Sequence, residues 1–176
     1  MVKAFPVKLE VAGVVEDPAQ KRAQNSVRAF VGLGMRLMVV GEGRERSALE
    51  AIARDNVAFT GRLDDGTLRE LMASARGLIF PAEDDFGIAC VEALASGAPV
   101  VAFGAGGARE IVRDEIDGFL VDTPDPDAFA EAVLRTERRA WDVDALRRSA
   151  RRFDVSRFRE RISAIVEEAL AKERTS

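Results

Sequence analysis

Short β-branched or wholly apolar runs alternate along this chain with segments whose apolar residues recur at helical spacing, and glycine punctuates the joins. Strand-like stretches cover 9–15, 37–40, 57–60, 77–80, 99–103 and 119–121. Helical stretches cover 19–31, 44–54, 65–75 and 88–96. A short helix begins near Gly107, another opens at Pro126, and two more cover 144–152 and 156–171. Proline suits the first turn of a helix, where its missing N–H has no intrahelical acceptor. Leu37-Met38-Val39-Val40 is apolar without alternation, the mark of a strand covered on both faces. Strands separated by helices mean repeated βαβ units with right-handed crossovers. The expected fold is therefore α/β, a doubly wound Rossmann-like parallel sheet of about six strands with helices on both faces. At 176 residues the chain fits one domain, 1–171, with 172–176 a frayed tail.

In such folds ligands sit beyond the carboxyl ends of the strands. Glycines mark those ends here: Gly41 and Gly43 after the second strand, Gly61 after the third, Gly87 after the fourth, and Gly104, Gly106 and Gly107 after the fifth. They let a ligand approach the backbone, and helix N-termini beside them offer N–H groups to an anion. A phosphate-bearing ligand is the natural expectation, although tight βα turns use glycine for structural reasons alone.

Histidine is absent and Cys90 is the single cysteine. Serine–histidine and cysteine–histidine catalysis are excluded within this chain, as are an intrachain disulfide and a zinc site built on histidine or several cysteines. Any chemistry must use carboxylates, lysine, arginine, hydroxyls or backbone dipoles. A net charge of −4 argues against a nucleic-acid binder, which needs a dominant basic surface. With no leader-like or membrane-length apolar run, the expected location is cytoplasmic.

The stretch Pro81–Val100, PAEDDFGIACVEALASGAPV, raises the sharpest chemical question. Ile88, Val91, Leu94 and Ala95 cover one side of a helix, and Ala89, Cys90 and Ala93 cover the rest. Apolar on nearly every side, it reads as a buried helix. Glu92 interrupts it, and a carboxylate on a buried helix needs donors: a hydroxyl-rich ligand, a basic neighbour, or water at the sheet edge.

Asp84 and Glu92 are separated by seven residues, with Asp85-Phe86-Gly87 between them and Glu92-Ala93-Leu94-Ala95-Ser96-Gly97 and Pro99-Val100 following. This resembles the acidic motif of the family 4 retaining glycosyltransferases of the two-domain GT-B class. Lys21-Arg22, Val40-Gly41-Glu42-Gly43, Asn56-Val57 with Phe59 and Gly61, and Gly106-Gly107 with Glu110 fall in the matching order. The resemblance implies one half of a GT-B fold, the C-terminal nucleotide-sugar domain. Glu92 would hold the ribose hydroxyls of a UDP- or GDP-sugar through charge-assisted hydrogen bonds. Asp84 would stand near the donor sugar. The backbone of Phe86, Gly87 and Ile88 would meet the sugar or diphosphate. Lys21, with Arg22 beside it, would neutralise the diphosphate. Gly41 and Gly43 would line the cleft, and Arg62 and Leu63 would border the base. The implied reaction is hexosyl transfer with retention, through positioning and stabilisation of the departing diphosphate, with no metal and no cofactor beyond the donor.

The sequence departs from that pattern in three places. Asp84 stands where the motif usually has glutamate. Glu16 falls where an arginine usually precedes the lysine by five residues, and an acid there would repel a diphosphate. The acceptor-binding N-terminal half is not in this chain, so little or no turnover is expected of it alone. The alternatives are a non-catalytic α/β binding or assembly module, or a bare scaffold with a decayed donor site.

Between Arg135 and Arg161 ten arginines face five acids. The run reads as the solvated face of amphipathic helices, with contact to an anionic membrane as the alternative. Phe158, Ile162, Ile165, Val166 and Leu170 form a stripe on the last helix that would suit a partner, a second copy of the chain included. Asp85-Phe86-Gly87 is also a kinase tripeptide, but no histidine exists for the kinase catalytic loop. Trp141 is expected to plug a helix junction and Cys90 to pack in the core.

Overall fold

The structure, a computed structural model, describes residues 10–13 and 23–174. Six strands form one sheet in the order β3-β2-β1-β4-β5-β6, and every pairing between them is parallel. They are β1 Glu10–Gly13, β2 Leu37–Val40, β3 Val57–Gly61, β4 Gly77–Phe80, β5 Val100–Phe103 and β6 Gly118–Val121. The helices are α1 Ala23–Leu33, α2 Arg46–Ile52, α3 Asp65–Ser74, α4 Ile88–Ser96, α5 Gly106–Ile111, α6 Pro126–Arg138, α7 Val143–Ala150 and α8 Val155–Arg174. A 3₁₀ turn, Arg151–Phe153, joins the last two. The strand order reverses between β1 and β4, so the switch point where doubly wound folds bind ligands lies at the carboxyl ends of those two strands.

The period-2 geometry of a strand sends alternate side chains to opposite faces, and each face has its own core. Leu78, Phe80, Val100 and Ala102 pack with Cys90, Leu94, Ile111 and Leu146 from α4, α5 and α7. Ile79, Val101, Phe119 and Val121 pack on the other side with Phe30, Leu49, Phe129 and Val133 from α1, α2 and α6. Every residue of β4 is buried, as a central strand covered twice must be.

Element ends differ from expectation by a few residues, with local causes. Helix α1 runs through Gly32 and ends at Leu33, because Gly34 is the residue that takes the left-handed backbone (φ 66°) that closes the helix. Helix α6 starts where expected: Asp125 accepts from the Asp127 and Ala128 N–H groups and Pro126 holds the first turn. Helix α8 continues to Arg174, through the stretch expected to fray, with Lys172 paired to Glu168 one turn back. Trp141 plugs a helix junction: its ring meets Phe119 edge-on and its Nε1 donates to the Thr136 carbonyl at 3.0 Å.

A buried carboxylate, Asp117, is held by two partly exposed arginines. Asp117, 1% exposed, accepts from Arg113 Nε at 2.8 Å and Nη2 at 2.9 Å. Arg152 Nη2 approaches it at 3.4 Å and donates to the Ile111 carbonyl at 2.6 Å. Burial pushes the Asp117 carboxyl up, but hydrogen bonds from Arg113 and Ser149 outweigh it and hold it below the usual carboxylate value.

Candidate functional site

The parallel sheet brings the carboxyl ends of β2, β3, β4 and β5 to one rim, so Gly41, Gly43, Arg62, Leu63 and the Pro81–Gly87 segment all leave the sheet on the same side. Gly41 N donates to the Gly61 carbonyl at 2.9 Å, tying the ends of β2 and β3 together. Gly43 is half-buried, Arg62 is exposed and Leu63 is half-buried just before α3. Lys21, Arg22 and Glu16 lie outside the described residues.

The segment entering α4 is locked to the segment entering α5. Asp84 Oδ1 accepts from Phe86 N at 2.9 Å and Gly87 N at 2.6 Å. The Asp84 carbonyl accepts from Gly107 N at 2.8 Å. The two backbones approach so closely that a Cβ on Gly106 would overlap the Asp84 carbonyl and one on Gly107 would overlap the Phe86 carbonyl. Gly106 also sits in the left-handed region (φ 54°). The glycine pair that sequence reading credits to ligand approach is thus required for chain-to-chain approach.

This geometry gives Asp84 a local task beside the expected one: its Oδ1 holds the Phe86 and Gly87 N–H groups. One Asp84 oxygen is committed to its own loop, because the short side chain reaches back to the N–H groups two and three residues on. Those two N–H groups are correspondingly satisfied within the chain. Asp84 also places a negative charge at the start of α4, where the helix dipole favours it. The reach of the shorter side chain is the physical correlate of aspartate at this position.

Glu92 also departs from expectation: it is exposed, and so is Ile88 at 62%. Only Cys90, Ala93 and Leu94 of α4 are buried, so one stripe of the helix faces the core and Ile88, Glu92 and Ala95 face outward. Small residues on the remaining faces read as burial in the sequence, yet they reflect close packing against α3, α5 and α7. Glu92 lines an open groove of about 450 Å³ between α3 and α4. Asp65, Leu68 and Arg69 of α3 and Arg147 of α7 share that lining. Among the described residues no hydrogen bond or ion pair reaches the Glu92 carboxylate. The lining does not include Asp84, Phe86, Gly87 or Ile88, so the two acids of the motif serve different places. The groove walls Asp65 and Leu68 went unread in the sequence; their one signal is position, in the first turn after the Gly61-Arg62-Leu63 rim.

Phe86 is 55% exposed and meets Phe153 edge-on at 6.5 Å, which leaves an apolar ledge beside the rim. Cys90 beneath it is buried, and burial, with the nearby Asp84 charge, pushes its thiol up to about 12, so it is packing and no nucleophile. Among the described residues no cluster of three or more cysteines and acids is placed to hold a metal ion. No helix among them is long and apolar enough to cross a membrane.

A doubly wound sheet with a locked loop at its switch point and an acid-bearing groove beside it is the architecture of one Rossmann-like half of a GT-B glycosyltransferase. Solved structures agree. Sucrose-phosphate synthase from Thermosynechococcus elongatus superposes with a TM-score of 0.80 at 25% identity, over 94% of this chain and 46% of that one. Anabaena HepE, solved in complex with UDP and glucose, gives 0.75 at 23% identity, over 91% of this chain and 48% of that one. The sequence matches the glycosyl transferases group 1 family over residues 8–138, and the chain belongs to that family. A D-inositol 3-phosphate glycosyltransferase from Salinispora tropica is 36% identical over 126 residues, 69% of this chain and 26% of its own length. The chain thus spans less than half of each of these relatives.

Proposed function

We propose that this chain is the donor-binding domain of a retaining glycosyltransferase that moves a hexosyl group from a UDP- or GDP-sugar to an acceptor hydroxyl. The observation that carries the proposal is the Glu92 carboxylate: unpartnered among the described residues and facing an open groove one helical turn from the rim. A carboxylate so placed can accept two hydroxyl hydrogens from a ribose. Anabaena HepE, of similar fold, was solved with UDP, and that supports a uridine or related nucleotide here. In the transfer the C1–oxygen bond to the diphosphate breaks and a new C1–oxygen bond forms to the acceptor on the same face. The diphosphate leaves carrying the electron pair, and its departing oxygen takes up the proton that the acceptor hydroxyl gives up. Lys21 and Arg22 would balance its charge, and Asp84 would act by holding the Phe86–Gly87 backbone in shape. The partner in catalysis is an N-terminal acceptor domain, and the chain alone should turn over little.

A second reading, a non-catalytic module of the same fold, draws on Asp84, whose Oδ1 is committed to its own loop, and on Glu16. Calorimetry with UDP and GDP separates the two. Binding of either nucleotide that disappears in Glu92→Ala, at unchanged melting temperature, supports the donor domain. No binding of any nucleotide or nucleotide sugar, or binding indifferent to Glu92→Ala, rejects it.

A further inference from the structure

Five arginines gather where α7, the 3₁₀ turn and α8 meet. Arg148, Arg151, Arg152, Arg157 and Arg161 line a cavity of about 460 Å³, with Glu160 the single acid in its wall. Arg152 is fixed: its Nη2 donates to the Ile111 carbonyl and to Ser149 Oγ and approaches the Asp117 carboxylate at 3.4 Å, and its Nε donates to the Ser149 carbonyl. Arg148 reaches Asp142 at 3.5 Å, a long and exposed contact. The side chains of Arg151, Arg157 and Arg161 make no hydrogen bond or ion pair with any described residue. Arg157 also sits in the first turn of α8, where the helix dipole disfavours a cation, and Asp154 precedes that turn outside the cavity lining. Like charges brought together repel, and this chain is acidic as a whole, so the cluster is no sample of a generally basic surface. Planar guanidinium groups match phosphate oxygens two hydrogens at a time. None of these residues lines the groove that holds Glu92.

We propose that this cavity is a second anion site that binds a phosphate group, with Arg152 as its fixed floor and Arg151, Arg157 and Arg161 as its free donors. The phosphate belongs to a small soluble anion or to the headgroup of an anionic lipid; the chemistry of capture is the same. The test uses the whole chain. Calorimetry with inorganic pyrophosphate and flotation with phosphatidylcholine vesicles, with and without phosphatidylglycerol, are run at about 0.1 M salt, where charges further apart than about 10 Å are screened. Binding of pyrophosphate, or of phosphatidylglycerol vesicles alone, is expected to weaken at least tenfold in the Arg151→Ala/Arg161→Ala double variant. It should persist in Arg54→Ala, which removes one arginine far from the cavity, and in Lys21→Ala/Arg22→Ala, which removes the cations expected to hold the donor diphosphate and so separates this site from the proposed donor site. If the double variant loses stability, Arg151→Lys/Arg161→Lys replaces it; keeping charge while losing the bidentate fork should still weaken binding. Pyrophosphate binding without vesicle binding assigns a soluble phosphate, and the reverse assigns a lipid headgroup. No binding of either probe, or an equal loss in Arg54→Ala, overturns the proposal.

Discussion

Helix α4 and helix α8 are both rich in large and small apolar residues, and the fold treats them oppositely. The core-facing stripe of α4 disappears between the sheet, α5 and α7, and its entry loop is bolted to α5. The stripe on α8 stays in water: Phe158, Ile162, Ile165, Val166 and Leu170 are all exposed among the described residues. Apolar content alone does not bury a helix. A helix is buried when a second element returns to cover it, and the βαβ crossovers supply that element for α4 but not for α8.

The contrast predicts where substitutions hurt. The largest effect is expected at Asp117, which anchors the 3₁₀ turn from which α8 departs. Asp117→Ala removes the buried acceptor of Arg113 and Arg152, whose own side chains are partly exposed, and should cost about 1–3 kcal/mol in urea unfolding, the usual penalty for losing hydrogen bonds to a charged group. The same group sets a pH limit. Its carboxyl is held low in the folded state, so its contribution is present above the ordinary carboxylate value of 3.8 and is lost as pH falls through the folded value. Stability should therefore be insensitive to this group from pH 7 to about 5 and drop below about pH 4, and Asp117→Asn should flatten that drop.

Gly107→Ala comes next. The added methyl meets the Phe86 carbonyl, part of the backbone, and should cost about 1–3 kcal/mol while displacing the α4 entry loop. A variant as stable as the parent would break the picture of a locked rim. Asp84→Ala removes the acceptor of two loop N–H groups and should cost about 1–2 kcal/mol, the range seen for lost helix caps. Cys90 should resist alkylation at pH 8 in the folded chain and react on denaturation, as its thiol sits near 12. The smallest effect belongs to α8: Ile165→Ser should change stability by no more than about 0.5 kcal/mol. A larger loss would mean that another surface covers the stripe, and light scattering would show whether a second copy does.

Much of this was legible in the sequence, and for identifiable reasons. The continuous apolar run Leu37–Val40 marked an interior strand, although Met38 and Val40 are only half-buried, and the motif spacing from Asp84 to Glu92 marked the family. The expectation of a helix buried nearly all round failed because Ala89, Ala93 and Ala95 look alike whether they face a core, a neighbouring helix or solvent. The commitment of Asp84 to its own loop was invisible for another reason: a carboxylate that reaches its own backbone and one that reaches a ligand have the same residue and spacing. The clustering of Arg148 to Arg161 appeared as a basic run, but its gathering around one cavity needed the turn between α7 and α8.

Sequence by itself determined the alternation of strand and helix, hence a doubly wound parallel sheet, and the family to which the chain belongs. Those follow from local periodicity and from residue types at fixed spacing, which every stretch of chain carries with it. Tertiary structure decided which face of α4 is wet, which groove Glu92 lines, and which glycines let two backbones meet. These depend on what the distant chain places within a few ångströms, and no local pattern encodes the identity of a neighbour that arrives from elsewhere in the fold.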